Sequence, residues 1–435
     1  MRKSDIMKKV LIVSYYFPPD PAIGGLRING LAKYLPDFGW EPVILTKNSP
    51  DNFTLKYTIV RTPYCEYDSI NSFKNMFGLN PKSSFKGQLG RSTLKDKKTF
   101  LYLLSNFITE IITYPDNQKK WYSDAFKIGD ELLTNEKIDA IISSSSPIIS
   151  HIIAHDLSEK YNIPWIADLR DLWTQNHYCT HSKIRKVFDK RLELKTLAAS
   201  DAITTVSSNL ASNLRKFHNR KSVYSIPNGY DLEESINTNI SLSNKFTITY
   251  TGSLYNGKRD PSKLFNALNE LIKEKKIDRK NIEIRFYGPK EEWIKEEIKK
   301  YSLQDIISHN GLVSRDISLV KQKESQLLLL LLWDHPSEIG VYTGKLFEYL
   351  ASKRPILAIG GPKGVVNDLL EETETGYFVS SVEDIKNTII KYYTEYKLNG
   401  QVSYKGNNSK IEKYSQKEMA RKFADILDNF IKVDY

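Results

Sequence analysis

A glycine-rich loop and the short helix predicted after it contain the residues best suited to binding a phosphorylated ligand. The loop follows the apolar run Leu327–Leu332 and includes residues 340–344, GVYTG. Glycine lets a backbone approach a ligand closely, and the first amides of a helix point towards any anion placed there. Lys345 adds a positive charge, and the Glu348 carboxylate can accept hydrogen bonds from the vicinal hydroxyls of a ribose. These residues predict a nucleotide site; the alternative is a solvated Lys345–Glu348 pair on an ordinary helix.

Two further cations, Lys258 and Arg259, lie in the loop that follows the predicted strand Phe246–Thr251. Basic loop residues are usually no more than solvated. At the carboxyl end of a strand in a doubly wound sheet, however, they can bind a diphosphate through charge-assisted hydrogen bonds. Gly288 ends the next predicted strand, and Val313 is expected beside the base. The predicted donor-binding residues of this half are Gly252, Lys258, Arg259, Gly288, Val313, Gly340, Val341, Tyr342, Thr343, Gly344, Lys345 and Glu348.

A second group of ionisable residues, Asp168, Arg170 and Asp171, comes directly after the predicted strand Pro164–Ala167. Three such groups at a buried strand end must pair with one another or with a ligand. We therefore predict that they are catalytic, together with Lys258 and Arg259, and the alternative is an Asp–Arg pair that braces the loop. His151, near the start of the preceding helix, could reach the same place, although a lone histidine is more often structural.

The elements that must position these residues alternate between strand and helix, which predicts an α/β fold with doubly wound, Rossmann-like sheets. The first strand, Lys9–Tyr16, leads through Gly24 and Gly25 into a helix over Leu26–Leu35. A double glycine at a helix start is weak support for phosphate binding, because it lacks the spacing of a dinucleotide site. The length of 435 residues suits two domains.

Three segments, residues 15–46, 146–173 and 338–361, resemble the retaining glycosyltransferases of family 4. The resemblance implies the GT-B architecture, in which two facing doubly wound Rossmann-like domains are joined by a C-terminal helix that crosses back to the first domain. It implies an acceptor-side domain over residues 1–232, a nucleotide-sugar domain over 245–414 and the crossing helix over 415–435. In that family the loop at Gly24 and Gly25 faces the diphosphate and the acceptor, and an acidic residue at the position of Glu348 holds the ribose.

The activity that this resemblance implies is transfer of a hexosyl or aminohexosyl group from a nucleotide-diphosphate sugar to a glycan, glycolipid or other cell-envelope acceptor. The donor is a substrate, and neither a metal nor a cofactor is expected. Two alternatives stay open: a nucleotide-sugar 2-epimerase, which uses the same fold, and a non-catalytic nucleotide-sugar-binding subunit, because the first acidic residue of the family's motif is displaced. The sequence departs from the family pattern at two places. Ser253 stands where the family carries an arginine, and Glu338 precedes Glu348 by two positions more than usual. We expect Glu338 at the outer turn of the loop, with the sugar held by backbone amides.

The net charge of +11 favours anionic partners, and no motif typical of nucleic-acid binding is present. Two cysteines, Cys65 and Cys179, predict neither a disulfide framework nor a metal site. The basic and aromatic stretch Lys95–Tyr114, which includes Lys97 and Lys98, fits either a core helix or an interfacial helix. No run is long enough to span a bilayer. The expected location is the cytoplasm, with peripheral attachment to the inner face of the plasma membrane as a further possibility.

Overall fold

The computed structural model describes residues 7–20, 23–49, 57–63, 107–220, 222–233 and 240–431. Cys65 and the stretch from Lys95 to residue 106 lie outside the described residues. The described chain divides into two compact units. The first comprises Met1–Val206, Leu210–Ile226 and Ala420–Tyr435, and the second comprises Ser207–Asn209 and Pro227–Met419.

The first unit is built on a parallel sheet of seven strands in the order β3-β2-β1-β4-β5-β6-β7. The strands are β1 Lys8–Ser14, β2 Trp40–Thr46, β3 Thr58–Arg61, β4 Ala140–Ser145, β5 Trp165–Leu169, β6 Ala202–Thr205 and β7 Val223–Ser225. Its helices are α1 Ile23–Tyr34, α2 Trp121–Asn135, α3 Ile149–Tyr161, α4 Lys183–Ala198 and α5 Ser208–His218, with a further helical stretch at residues 107–112. The strand order reverses between β1 and β4.

The second unit contains a parallel sheet of six strands in the order β10-β9-β8-β11-β12-β13. The strands are β8 Phe246–Thr251, β9 Ile282–Tyr287, β10 Ile307–His309, β11 Leu327–Leu331, β12 Ile356–Ile359 and β13 Gly376–Val379. Its helices are α6 Ser262–Lys273, α7 Glu292–Lys300, α8 Arg315–Lys323, α9 Gly344–Ser352, α10 Val365–Thr373, α11 Val382–Asn399 and α12 Asn408–Ile411. Here the order reverses between β8 and β11. The predicted α/β class with doubly wound sheets is confirmed.

The leucine run shows why β11 occupies the centre of its sheet. Successive side chains of a strand point to opposite faces. Leu327, Leu329 and Leu331 accordingly pack into the hydrophobic cluster on one face. The alternate leucines, Leu328, Leu330 and Leu332, pack into the cluster on the other face. A strand with both faces covered needs apolar side chains at every position, and the leucine run provides them.

The last helix, α13 Gln416–Ile431, begins in the second unit, and from Ala420 onwards its residues cluster with the first unit. At its start, the amide of Glu418 donates to Ser415 Oγ at 3.1 Å, which is one half of a capping box. Near its end, Asp428 Oδ1 accepts hydrogen bonds from Lys8 Nζ at 2.9 Å and from Trp40 Nε1 at 3.1 Å. The helix is therefore anchored to β1 and β2.

Candidate functional site

The candidate site of the second unit lies at the carboxyl ends of β8 and β11, where the strand order reverses. Open α/β sheets bind ligands at such switch points because the loops after the two strands diverge and leave a crevice. Helix α9 is fixed beside this point by Tyr349. The Tyr349 hydroxyl accepts a hydrogen bond from the Thr251 amide and donates one to the Leu329 carbonyl, both at 3.1 Å. The start of α9 thus has a defined position relative to both strands.

The loop after β8 is shaped by glycine at two positions. Gly252 has a φ of +117°, and a Cβ atom there would lie 2.1 Å from Cε of Lys345. A Cβ atom on Gly288 would lie 2.2 Å from the carbonyl oxygen of Gly252. The Gly252 amide in turn donates to the Tyr287 carbonyl at 2.6 Å. Both predicted donor-binding glycines are therefore needed for packing of the site, whether or not they also touch a ligand.

Lys345 occupies the space that Gly252 leaves open. Its ammonium lies 5.0 Å from the centre of the Tyr250 ring. Burial lowers the pKa of Lys345 to about 7; the nearby Arg259 guanidinium acts in the same direction, and Glu348 opposes both. Burial and the Arg259 charge thus disfavour the charged form of Lys345 in the free protein. An anion bound beside the two side chains would favour that form, so the arrangement suits an anionic ligand.

Lys258 and Arg259 are each held by an aromatic ring. Lys258 Nζ lies 4.3 Å from the centre of the Trp333 ring, and Arg259 Cζ lies 4.6 Å from the centre of the Tyr255 ring. Cation–π contacts of this kind orient a long basic side chain without neutralising its charge. Trp333, in the loop after β11, was not predicted as a site residue, because a single tryptophan carries no motif.

The amino terminus of α9 offers unpaired hydrogen-bonding groups. Thr343 is the N-cap residue, yet its side chain makes no capping bond. Within the described part of the chain, Thr343 Oγ1 is buried and has no hydrogen-bond partner. The amides of Gly344 and Lys345 belong to the first turn, which by geometry has no intrahelical acceptors. Together with the helix dipole, these groups favour an anion at this end.

Glu348 lies one turn further along α9 and is held by residues of α8. Its Oε2 accepts a hydrogen bond from Gln322 Nε2 at 3.3 Å, and its Oε1 lies 3.6 Å from Nε of Arg315. Gln322 is fully buried and also donates to Thr251 Oγ1 at 3.2 Å. Glu348 is therefore an oriented carboxylate rather than half of a solvated pair with Lys345. Val313 lies half-buried in the loop before α8.

Glu338 does not lie at the outer turn where the sequence placed it. Residues Pro336–Gly340 form a 3-10 turn, which the Val341 amide closes by donating to the Glu338 carbonyl at 2.9 Å. The turn leaves the Glu338 residue only 8% exposed. A small cavity beside it is lined by Leu332, Glu338, Ile339, Val341, Gly361, Pro362 and Gly364 to Val366. The expectation of a surface residue is wrong, because the turn folds the loop back onto its own unit.

In the first unit, Asp168 is a residue of β5 and is completely buried. Its carboxylate accepts hydrogen bonds from Arg27 Nε and Nη2 at 3.0 and 2.9 Å, from Ser144 Oγ at 2.9 Å and from Thr204 Oγ1 at 2.7 Å. Burial by itself would raise the pKa of Asp168, but the Arg27 charge and these bonds hold it below its usual value. In the structure Asp168 forms a buried ion pair with Arg27.

Arg170, predicted to be catalytic, and Gly24, predicted to bind the donor, lie in contact. Arg170 Nε donates to the Ser145 carbonyl at 2.6 Å, and a Cβ atom on Gly24 would lie 2.4 Å from Arg170 Nη2. Gly25 packs against the Phe17 backbone, where a Cβ atom would lie 3.3 Å from Phe17 Cα. Asp171 is exposed. The guanidinium thus rests on the glycine turn at the start of α1.

His151 is buried and lies away from solvent at the start of α3. Its Nδ1 is 2.7 Å from Ser143 Oγ, and its ring stacks near Trp173. Burial lowers the pKa of His151 to about 4, so the ring is neutral at neutral pH. Among the described residues, no group of three or more His, Cys, Asp or Glu side chains is arranged to hold a metal. Within the same residues, no helix is both long enough and apolar enough to cross a membrane.

Comparison with known proteins supports the family resemblance and the fold. Residues 105–234 match the family described as Glycosyltransferase Family 4. No curated protein matches the chain. Among solved structures, sucrose-phosphate synthase from Thermosynechococcus elongatus is similar at 14% identity, with a TM-score of 0.64 over 98% of this chain and 99% of the other. The resemblance to family 4 is therefore confirmed, although the matched residues include only a small part of the second unit.

Two further structures have the same fold. Anabaena Alr3699/HepE in complex with UDP and glucose gives a TM-score of 0.60 at 13% identity, over 97% of this chain and 100% of that one. TarM gives a TM-score of 0.60 at 10% identity, over 97% and 99% of the two chains. At these identities the likeness concerns the fold alone. It confirms the predicted GT-B architecture for nearly the whole chain.

Proposed function

We propose that this glycosyltransferase of GT-B fold moves a hexosyl or aminohexosyl group from a nucleotide-diphosphate sugar to a glycan, glycolipid or other cell-envelope acceptor, with retention of configuration. The proposal rests on one observation: the charged groups of Arg259 and Glu348 act on Lys345 at the start of α9. Two cations and a helix amino terminus suit a diphosphate, and an oriented carboxylate one turn away suits a ribose. HepE, which shares the fold, was solved with UDP and glucose.

The chemistry follows from this placement of charge. The bond between the sugar C1 and the diphosphate oxygen breaks, and the acceptor oxygen bonds to C1 on the same face. The hydroxyl proton passes to the departing phosphate. Lys258, Arg259 and Lys345, with the first amides of α9, stabilise the charge that develops on the leaving group. We propose that these cations serve in place of a metal ion, so that transfer continues in EDTA.

The test is a product assay with a panel of nucleotide-diphosphate sugars, each incubated with and without lipid-linked and soluble glycan acceptors. We expect acceptor-dependent release of the nucleoside diphosphate and a product whose anomeric configuration, read by NMR, matches the donor. A changed sugar formed from donor alone would indicate an epimerase instead. Binding without turnover of any donor, including hydrolysis, would indicate a non-catalytic subunit.

Lys258→Ala provides the internal check, and Lys299→Ala provides the matched control. Lys299 is an exposed lysine of α7 in the same unit. Loss of a charge aimed at the leaving group should lower kcat/KM by roughly 100-fold for Lys258→Ala. The control should stay within about twofold of the wild type, as expected for a surface substitution. Equal activity of the two variants would contradict the role of Lys258.

A further inference from the structure

We propose that the first unit docks on an anionic lipid bilayer through a surface formed by α4 and the chain around residues 107–114. This surface, here termed the α4 patch, combines large exposed apolar side chains with lysine and arginine. The proposal concerns where the protein binds and does not depend on the donor chemistry. It replaces the predicted segment Lys95–Tyr114, most of which lies outside the described residues, with a surface that the structure describes.

The α4 patch contains six of the large exposed apolar side chains of the described chain. Its members, between 43% and 59% exposed, come from residues 107–111 and 178–188. They are Phe107, Ile111, Tyr178, Ile184, Val187 and Phe188. Scattered apolar residues on a surface are normal, but a contiguous group marks an interaction site.

Specific contacts join the two segments into one surface. The rings of Tyr114 and Phe188 pack edge to face, with centroids 6.5 Å apart. Arg185 Nη2 donates to the Pro115 carbonyl at 2.6 Å, and the Ser182 amide donates to Glu110 Oε1 at 2.7 Å. Because Arg185 and Ser182 belong to the start of α4, the helix and the 107–114 segment are fixed side by side.

The exposed charges of α4 beside these apolar groups are all positive. Lys183, Lys186, Lys190 and Arg191 are exposed, and they alternate with the apolar residues along α4. At about 100° per residue, Ile184, Val187, Phe188 and Arg191 share one arc, and the three lysines follow directly beside it. The side chains point outward together, as in helices that rest at a lipid headgroup boundary.

The acidic groups of the same segments are turned inward and paired. Asp189 is buried, and its Oδ1 accepts a hydrogen bond from Arg185 Nε at 2.8 Å while its Oδ2 lies 3.1 Å from His181 Nδ1. Both oxygens of Glu110 accept hydrogen bonds from Ser182. A surface that is apolar and basic, with its acids paired internally, complements anionic headgroups over an apolar interior.

The experiment is co-sedimentation of the full-length protein with vesicles of phosphatidylcholine alone and of phosphatidylcholine with about 30% phosphatidylglycerol, at low and high salt. Three variants are compared with the wild type. The apolar variant is Ile184→Ser/Val187→Ser, and the basic variant is Lys183→Glu/Lys186→Glu/Lys190→Glu. The charge control is Lys276→Glu/Lys280→Glu/Lys299→Glu, which changes the net charge equally on exposed lysines of the second unit.

We expect the wild type to bind the anionic vesicles, and both α4 variants to lose at least about tenfold in partition coefficient. The charge control should stay within about threefold, because only local charge contacts the bilayer. Binding of all four proteins at the same level, or of none to either vesicle, would overturn the proposal. So would a lower thermal midpoint of the apolar variant without vesicles, since the patch would then be covered by the chain itself. A change of that variant from dimer to monomer would instead assign the patch to a second copy.

Discussion

The Cε atom of Lys345 fills the space that a side chain on Gly252 would need, at 2.1 Å from the position of its Cβ atom. The relationship joins residues 93 positions apart in sequence, one after β8 and one at the start of α9. It explains why a glycine with a φ of +117° opens the loop after β8 and why the lysine that follows Gly344 is buried. The strongest predictions concern this pair and its neighbours.

Lys345 should make donor affinity depend on pH near neutrality. Its pKa in the free protein is about 7, mainly because of burial. A bound diphosphate favours the charged form, so affinity should fall as pH rises through this value, by up to about tenfold per pH unit. The measurement is calorimetric titration with a nucleotide-diphosphate sugar, whose diphosphate does not itself titrate in this range. Lys345→Met should bind weakly with a flatter profile, whereas an unchanged profile in that variant would refute the assignment.

The lowered pKa of Lys345 should also make the free energy of unfolding depend on pH. Between about pH 7 and the ordinary lysine value, the unfolded chain binds a proton that the folded protein lacks, so Lys345 makes stability rise with pH there. Lys345→Met should remove this contribution. The measurement compares the thermal midpoints of the wild type and of Lys345→Met across this pH range.

Gly252→Ala should destabilise the second unit and displace Lys345. Gly257→Ala is the matched control, because Gly257 also has a positive φ, of +83°, but a Cβ atom there would meet nothing within 4 Å. The control should show only the backbone cost, about 1 kcal/mol. Gly252→Ala should show a larger loss of thermal midpoint and a donor affinity close to that of Lys345→Met. Equal effects of the two substitutions would show that the contact with Lys345 is unimportant.

Glu348 should be the residue that recognises the ribose. Glu348→Ala should weaken donor binding by about 2 to 3 kcal/mol if a charge-assisted hydrogen bond is lost. The sharper measurement compares a ribose nucleotide with its 2′,3′-dideoxy analogue. The wild type should prefer the ribose, and the variant should bind both equally. A preference that survives in Glu348→Ala would place the ribose elsewhere.

Substitution of Glu338 should affect stability rather than ribose recognition, in contrast to substitution of Glu348. Because the residue is only 8% exposed, Glu338→Ala should lower stability by about 1 to 3 kcal/mol, more than the surface value expected from sequence. If Glu338 serves only to hold the loop, the ribose preference should remain in this variant. Differential scanning calorimetry and the same nucleotide pair separate the two residues.

Asp168 should prove structural. Asp168→Asn leaves the Arg27 charge buried without its partner, which typically costs about 3 to 5 kcal/mol. Because its folded pKa is depressed, the stabilisation is complete above the unfolded value and is lost as pH falls through the folded value. Urea unfolding at several pH values tests both points. An Asp168→Asn protein with normal stability and no activity would return Asp168 to the catalytic group.

Much of the framework was predictable because its signals are local. The strand Phe246–Thr251 has the predicted bounds, and the alternate faces of the leucine run follow from strand geometry. The partners of the predicted residues were not predictable, since they depend on contacts distant in sequence. Arg27 and Asp168 are separated by 141 positions, and nothing in the amphipathic pattern of α8 marks Gln322 as the partner of Glu348. Glu338 was misplaced because loop length alone does not reveal a 3-10 turn.

Titration calorimetry with a nucleoside diphosphate, the matching monophosphate and the nucleoside most directly tests the claim that the start of α9 is the donor site. We expect the wild type to bind the diphosphate most tightly. Lys345→Ala should lose most of the advantage of the diphosphate over the nucleoside, while Lys299→Ala should retain it. Equal affinities of the wild type for all three compounds, or an advantage for the diphosphate that persists in Lys345→Ala, would contradict the account.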